Sequence, residues 1–128
     1  MERLVAAAIS ARDNAYAPYS NYKVGAALLT KQGKIYTGCN VENASYGASI
    51  CAERTAVVKA VSEGETEFEA IAIVTDDSSL GSPCGICRQF LAEFGTDIKL
   101  IIANLNGAKV ESTLQEYLPH AFGPDYLK

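Results

Sequence analysis

Residues 51–56 read CAERTA, and residues 83–87 read PCGIC. Both stretches are predicted at junctions between a loop and a helix, where unpaired backbone N–H groups and a partial positive charge lower the pKa of a nearby thiol. Three thiolates, from Cys51, Cys84 and Cys87, could hold Zn²⁺ tetrahedrally and leave one position for water. An open position distinguishes a catalytic zinc from a structural one, so the pattern predicts a catalytic metal site.

The four cysteines of the chain leave other roles open at this point. Cys-x-x-Cys is also typical of a redox pair, although such motifs usually follow the first strand of their fold and Cys84 comes later. Cys39 could complete a closed four-cysteine zinc site, but alternation along its predicted strand turns it away from Asn40 and Glu42. Two disulfides would require a secreted protein, and nothing else in the sequence indicates export.

Composition predicts one small globular domain. The chain has 128 residues, of which 48% are hydrophobic and 20% charged, which excludes a disordered protein. Its formal net charge of −4 disfavours a nucleic-acid partner, because phosphate binding depends on Lys and Arg. No apolar run approaches the roughly 18 to 20 residues of a membrane span. The alanine-rich segment after Arg3 favours an amphipathic helix over a signal peptide, so we expect a cytoplasmic protein.

Hydrophobic periodicity and turn residues predict an α/β domain with a mixed sheet. We expect helices over residues 2–15, 51–62, 86–94 and 114–118, and strands over residues 22–30, 34–42, 68–75 and 98–103. The first two strands would form a hairpin around Gln32 and Gly33, and Asn106-Gly107 marks a second hairpin-like turn. Asn40 and Glu42 would share one face at the end of the second strand.

The two cysteine stretches together resemble the signature of zinc-dependent nucleoside deaminases, in which His or Cys, any residue and Glu are followed by Pro-Cys-x-x-Cys. The resemblance extends over nearly the whole chain, through the blocks YS (19–20), VGAAL (24–28), GCNVENA (38–44), CAERTA (51–56) and PCGICRQ (83–89). The chain is similar to cytidine deaminases of the small, homotetrameric type. This resemblance implies a single domain over residues 1–128 with a three-layer α/β fold, in which a mixed five-stranded sheet carries helices on both faces.

The resemblance implies one Zn²⁺ per chain, bound by Cys51, Cys84 and Cys87, with Glu53 as the catalytic proton carrier. Two positions two residues apart on a regular helix lie about 200° apart, so Cys51 and Glu53 can act together only if Cys51 stands at the very start of the helix. Three thiolates would leave the site one net negative charge. Arg54 is placed to offset that charge by donating hydrogen bonds to the thiolates.

The resemblance also implies a pyrimidine nucleoside as substrate and active sites at the subunit interfaces of a homotetramer. Asn40 and Glu42 match positions that bind ribose, and Tyr22 matches a position that is usually phenylalanine and packs on the pyrimidine. The remaining residues assigned to the substrate pocket are Ala44, Tyr46, Ala52 and Phe122; of these, Ala44, Tyr46 and Phe122 would close a neighbour's pocket. A tyrosine at position 22 keeps the ring but adds a hydroxyl that needs a partner.

The activity implied is hydrolytic deamination of cytidine and deoxycytidine to uridine and deoxyuridine for pyrimidine salvage, with neither nucleic acid nor membrane as a partner. One alternative is a deaminase of a related nucleoside-like compound. The other is a non-catalytic, zinc-stabilised binding module on the same scaffold. Glu53 discriminates between enzyme and module, because a structural zinc has no use for a proton carrier.

Overall fold

The computed structural model describes residues 2–75 and 85–117. Its elements, in chain order, are α1 (Glu2–Arg12), β1 (Val24–Thr30), β2 (Ile35–Cys39), a short 3₁₀ turn (Tyr46–Ala48), α2 (Ala52–Ser62), β3 (Phe68–Thr75), α3 (Gly85–Ala92), β4 (Lys99–Asn104), β5 (Lys109–Thr113) and α4 (Leu114–Tyr117). Within these described ranges, no helix is long and apolar enough to cross a membrane.

The strands form one five-stranded sheet in the order β2-β1-β3-β4-β5. Neighbouring strands are antiparallel except for β3 and β4, which run parallel. Two apolar clusters cover the two faces, one formed with α1 and the other with α2 and α3. The predicted three-layer α/β fold, with a mixed five-stranded sheet and helices on both faces, is therefore confirmed.

The two faces of β3 differ in side-chain size. Along β3, Ile71 and Ile73 point into the cluster beneath α2 and α3, whereas Ala70 and Ala72 point towards α1. Successive residues of a strand alternate between its faces, so one nearly continuous apolar run serves both layers. Small side chains on the α1 face let that helix lie close to the strands.

Glycines bring two helices against the β1–β2 hairpin. A Cβ at Gly25 would lie 2.0 Å from the carbonyl oxygen of Ala8 in α1. On the opposite face, a Cβ at Gly38 would lie 2.5 Å from the carbonyl oxygen of Ala52 in α2. Both contacts are closer than any side chain permits, and so the hairpin fixes the position of both helices.

Some predicted boundaries differ from those observed. The first strand begins at Val24 rather than at residue 22, because the side-chain amide of Asn40 takes the hydrogen bonds that a neighbouring strand would supply. The first helix ends at Arg12, and the next three residues form a tighter turn in which each N–H donates to the carbonyl three residues before it. Strand β5 was not predicted as a strand, because four of its five residues are polar and all five are exposed or half-buried at the sheet edge.

Candidate active site

Cys51 is the N-cap residue of α2. Its backbone is extended, with φ −75° and ψ 156°, and its side chain makes no capping hydrogen bond. The condition derived from the spacing is thus fulfilled: the residue before the helix departs from helical geometry, and Cys51 and Glu53 can face the same region. Thr55 anchors this helix start, because its single hydroxyl hydrogen lies within reach of two carbonyl oxygens, those of Cys39 (3.1 Å) and Cys51 (3.2 Å).

Glu53 is a buried carboxyl group in the first turn of α2, only 4% exposed. Burial raises the pKa of Glu53 from 4.5 to about 7, and the charge of Cys51 adds to the shift. Hydrogen bonds from its own backbone N–H and from the Cys87 thiol oppose the increase, as does the charge of Arg54. A carboxyl group with a pKa near neutrality can both accept and release a proton at physiological pH.

Cys87 is fully buried in the first turn of α3, as the sequence predicted. Arg54 connects this thiol with Cys51. Burial lowers the pKa of Arg54, but hydrogen bonds to the sulfurs of Cys51 and Cys87, together with the charges of these two groups, raise it overall. The same guanidinium donates from Nη2 to the carbonyl oxygen of Ser49 at 3.1 Å. The starts of α2 and α3 therefore meet around one cation, two thiols and one buried carboxyl group.

The chemistry of this donor set fits a soft divalent metal such as zinc. Thiolate sulfur is a preferred zinc ligand, and both thiols stand at helix starts beside a guanidinium that stabilises their ionised form. Over residues 2–75 and 85–117, no three His, Cys, Asp or Glu side chains form a complete metal site. Cys84, the third predicted ligand, lies outside the described residues.

Cys39 lies on the other side of the sheet from these thiols. In β2, Gly38 packs on α2, while Ile35 packs against the α1 cluster, and alternation puts Cys39 on the side of Ile35. Cys51 belongs to the α2 side. This arrangement disfavours the closed four-cysteine site.

Asn40 is committed to the backbone of the segment before β1. Its Oδ1 accepts from the N–H of Val24 at 2.9 Å, and its Nδ2 donates to the carbonyl oxygen of Tyr22 at 2.8 Å. Tyr22 is half-buried and follows Asn21, whose φ of 57° turns the chain into this position. Asn40 therefore orients the residue predicted to pack on the pyrimidine, a role that the sequence did not indicate.

Glu42 lies in the wall of a cavity of about 300 Å³ that is lined by Tyr19, Ser20, Glu42, Tyr46 and Ser49. The rings of Tyr19 and Tyr46 contact each other edge to face, with centroids 6.3 Å apart. Ser20, for which the sequence indicated no role, donates a hydrogen bond to the Glu42 carboxylate. Serine side chains often accept a hydrogen bond from the backbone N–H two residues later, as Ser20 does from Tyr22. This tendency is the sequence signal that could have identified Ser20.

The other predicted pocket residues differ in their surroundings. Ala44 and Tyr46 are exposed, and Tyr46 is 77% exposed despite its large ring. Ala52 is fully buried as the first residue of α2. Phe122 lies outside the described residues.

Known proteins resemble this chain in sequence and in fold. Residues 1–104 match the profile of the cytidine and deoxycytidylate deaminase zinc-binding region. The chain is 48% identical to a cytidine deaminase of Sporosarcina psychrophila, over 99% of this chain and 94% of the relative, and 51% identical to one of Halalkalibacterium halodurans, over 94% and 92%. A crystal structure of cytidine deaminase from Burkholderia pseudomallei superposes with a TM-score of 0.92 at 48% identity, covering 94% of this chain and 98% of the other. The family model, the relatives and the fold agree, and the chain belongs to the cytidine and deoxycytidylate deaminase family.

Proposed function

We propose that this protein hydrolyses the exocyclic amino group of cytidine and deoxycytidine, forming uridine or deoxyuridine and ammonia. The observation that carries the proposal is the buried Glu53 carboxyl group beside the thiols of Cys51 and Cys87. Burial of an ionisable group costs folding free energy, and groups of this kind cluster at functional sites, so a buried carboxyl group at the junction of two helix starts favours a chemical role.

Zinc is the proposed cofactor, one ion per chain, held by Cys51 and Cys87 together with Cys84. When bound, such an ion supplies a water molecule activated as a nucleophile at neutral pH. Arg54 supports the ligands by donating to both described sulfurs, which offsets the excess negative charge of a thiolate set.

Glu53 carries protons through the reaction. Its carboxylate takes a proton from the attacking water and delivers it to N3 of the pyrimidine ring. The carboxylate then takes the second water proton, from the new hydroxyl group on C4, and delivers it to the amino nitrogen. The C4–N bond breaks as the C4=O bond forms, so the ring gains the water oxygen and ammonia carries away the second proton. In the chain without metal, burial raises the pKa of Glu53 to about 7, which favours a carboxyl group that can both accept and release a proton.

A free nucleoside is the proposed substrate, and the acidic net charge argues against a polynucleotide. Tyr22, Asn40, Glu42 and Ala52 would form the pocket of one chain. The two exposed residues Ala44 and Tyr46, with Phe122, would contribute to a neighbouring pocket in a homotetramer. A large exposed ring such as that of Tyr46 is consistent with a surface that a second copy covers. We place the enzyme in cytoplasmic pyrimidine salvage, without a membrane partner.

The decisive experiment follows the ultraviolet change from cytidine to uridine and measures zinc in the same purified sample. We expect turnover with about one zinc per chain. Glu53→Gln should keep zinc and fold but lose turnover, whereas Glu69→Gln, an exposed carboxyl group on β3, should leave turnover unchanged.

Each other outcome has a distinct meaning. Zinc without turnover on cytidine or deoxycytidine would indicate a related nucleoside-like substrate, with Tyr22 the first residue to examine. Full turnover in Glu53→Gln would remove the proposed mechanism. Zinc binding with no deamination of any nucleoside tested would favour the zinc-stabilised binding module, and a protein without zinc would refute the proposal.

A further inference from the structure

The carboxylate of Glu42 is held by three hydrogen bonds from one short segment. Its Oε1 accepts from the backbone N–H of Tyr19 at 2.9 Å and of Ser20 at 3.2 Å. Its Oε2 accepts from the hydroxyl of Ser20. Glu42 is more than 20 residues away from this segment in sequence, and its backbone N–H also donates to the carbonyl oxygen of Tyr16. Side chain and main chain together fix the carboxylate in one orientation.

The Ser20 hydroxyl has two functions at once. It donates its single hydrogen to Glu42 and accepts from the backbone N–H of Tyr22 at 3.0 Å. A serine hydroxyl has one hydrogen and two lone pairs, so these two bonds fix its rotation. Ser20 therefore joins two of the residues assigned to the substrate pocket, Glu42 and Tyr22, through one oxygen atom.

The fixed carboxylate can only accept hydrogen bonds. The hydrogen bond from Ser20 is the largest contribution that lowers the pKa of Glu42, followed by the two backbone N–H donors, while partial burial opposes them. An ionised carboxylate has about four lone-pair directions, and three donors leave capacity for one more. Glu42 lines the cavity, so a small polar ligand in that space could donate the fourth hydrogen bond to its carboxylate.

We propose that Ser20 is a positioning residue that holds Glu42 ready to accept a hydrogen bond from a sugar hydroxyl group and places Tyr22 relative to it. This inference rests on the proposed function, since it takes a nucleoside as the ligand. Ser20 acts through Glu42 and Tyr22, and its contribution is to substrate binding rather than to proton transfer by Glu53.

The test compares Ser20→Ala with Ser20→Thr and Ser62→Ala. Alanine removes the hydroxyl, whereas threonine keeps it on an exposed side chain that has room for a methyl group. Ser62 is a matched control, because its exposed hydroxyl only donates to the carbonyl oxygen of Lys59 at the end of α2. We expect Ser20→Ala to raise KM for cytidine about tenfold, the order expected for a lost hydrogen bond to a charged group, with kcat nearly unchanged. Ser20→Thr should restore most of the affinity.

A ligand without the 2′- and 3′-hydroxyl groups of the sugar separates positioning from a general loss of structure. Calorimetric titration with uridine and with 2′,3′-dideoxyuridine measures binding without turnover. We expect the wild-type protein to prefer uridine and Ser20→Ala to lose most of that preference by weakening uridine alone. An equal loss for both ligands, or no loss for either, would overturn the inference.

The two proposals fail in distinguishable ways. Uridine preference that depends on Ser20, in a protein that deaminates no nucleoside, would uphold the positioning role and refute the proposed reaction. Normal deamination with an unaltered uridine preference in Ser20→Ala would refute the positioning role alone. Absence of binding to either ligand in the wild-type protein would refute the positioning role as well.

Discussion

Gly38 of β2 lies directly against Ala52, the first residue of α2: a Cβ added at Gly38 would come within 2.5 Å of the Ala52 carbonyl oxygen and 2.6 Å of the Ala56 nitrogen. Backbone atoms of a helix cannot yield as the end of a flexible side chain can. The depth at which α2 sits on the sheet is therefore set by the absence of a side chain at Gly38. Since Cys51 and Glu53 stand at the start of this helix, Gly38 also sets their position.

Gly38→Ala should consequently damage both stability and catalysis. We expect a loss of about 1 to 3 kcal/mol in the free energy of unfolding, the usual cost of overpacking, and a fall in kcat from displacement of Glu53. Chemical denaturation and steady-state kinetics measure the two effects. Gly47→Ala is the control, because a Cβ there would meet nothing within 4 Å. Unchanged stability and activity in Gly38→Ala would show that α2 can move without consequence.

Glu53 should make the metal-free protein less stable as pH rises. Its pKa is about 7 in the folded chain, raised from 4.5 mainly by burial, so between these values the folded state holds a proton that the unfolded state has lost. The free energy of unfolding therefore decreases with pH over this interval, by about 3 kcal/mol in total at 1.36 kcal/mol per pKa unit. Denaturation of chelator-treated protein between pH 4.5 and 8 tests this slope.

Glu53→Gln removes the titrating group and should reduce that slope. The variant and the wild-type protein should differ little near pH 4.5 and most above pH 7, where the wild type carries a buried charge. Glu69→Gln, which changes an exposed carboxyl group, should follow the wild-type curve. Parallel curves for the wild type and Glu53→Gln would contradict the raised pKa.

Arg54 should be needed to retain the metal. Its guanidinium contacts the sulfurs of Cys51 and Cys87 and the carbonyl oxygen of Ser49, a combination that requires several donors in a fixed plane. Arg54→Ala should lower zinc affinity or activity about 10- to 100-fold, as changes next to metal ligands commonly do. Arg54→Lys should recover only part of the zinc affinity or activity, because one ammonium group cannot reach all three acceptors. Competition with a chromogenic chelator gives the affinity, and Arg3→Ala, at an exposed position of α1, is the control.

Cys87 and Cys39 should respond differently to the same substitution. Cys87→Ser should lose zinc and lower Tm, because a serine oxygen replaces a thiolate ligand and metal binding is coupled to folding. Cys39→Ser should keep about one zinc per chain, because Cys39 lies on the opposite side of β2 from α2. Metal analysis measures the zinc content of each variant, and thermal melting measures its Tm. Equal zinc loss in the two variants would instead support a closed four-cysteine site.

Local patterns were sufficient to predict most of the framework. The apolar run of β3 was predicted with the bounds observed, Phe68–Thr75, because a fully covered central strand leaves no ambiguity about burial. The start of α2 was also predictable, since the spacing of Cys51 and Glu53 required an N-cap with extended backbone. Strand β5 was missed because its stability comes from backbone pairing with β4, which leaves little trace in side-chain polarity.

The supporting contacts of the candidate site were harder to predict. Asn40 and Glu42 were identified as pocket residues, but their hydrogen bonds to the 19–24 segment join parts of the chain that are distant in sequence. The sequence reveals that such a side chain is polar, but it does not reveal which distant residue the side chain binds. The same applies to Arg54, whose proximity to Glu53 was evident but whose simultaneous contact with Cys87 depends on how α3 packs.

The two helix-contacting glycines restrict how this enzyme could diversify. Gly25 and Gly38 sit in adjacent strands and face opposite layers, so neither position tolerates a larger residue without moving a helix. We therefore expect these two positions of the hairpin to contribute little to a change of substrate. The side chains of Tyr19 and Tyr46 are exposed, so they can be replaced without moving a helix. We expect proteins of this fold that act on different substrates to differ at these exposed positions and to keep both glycines.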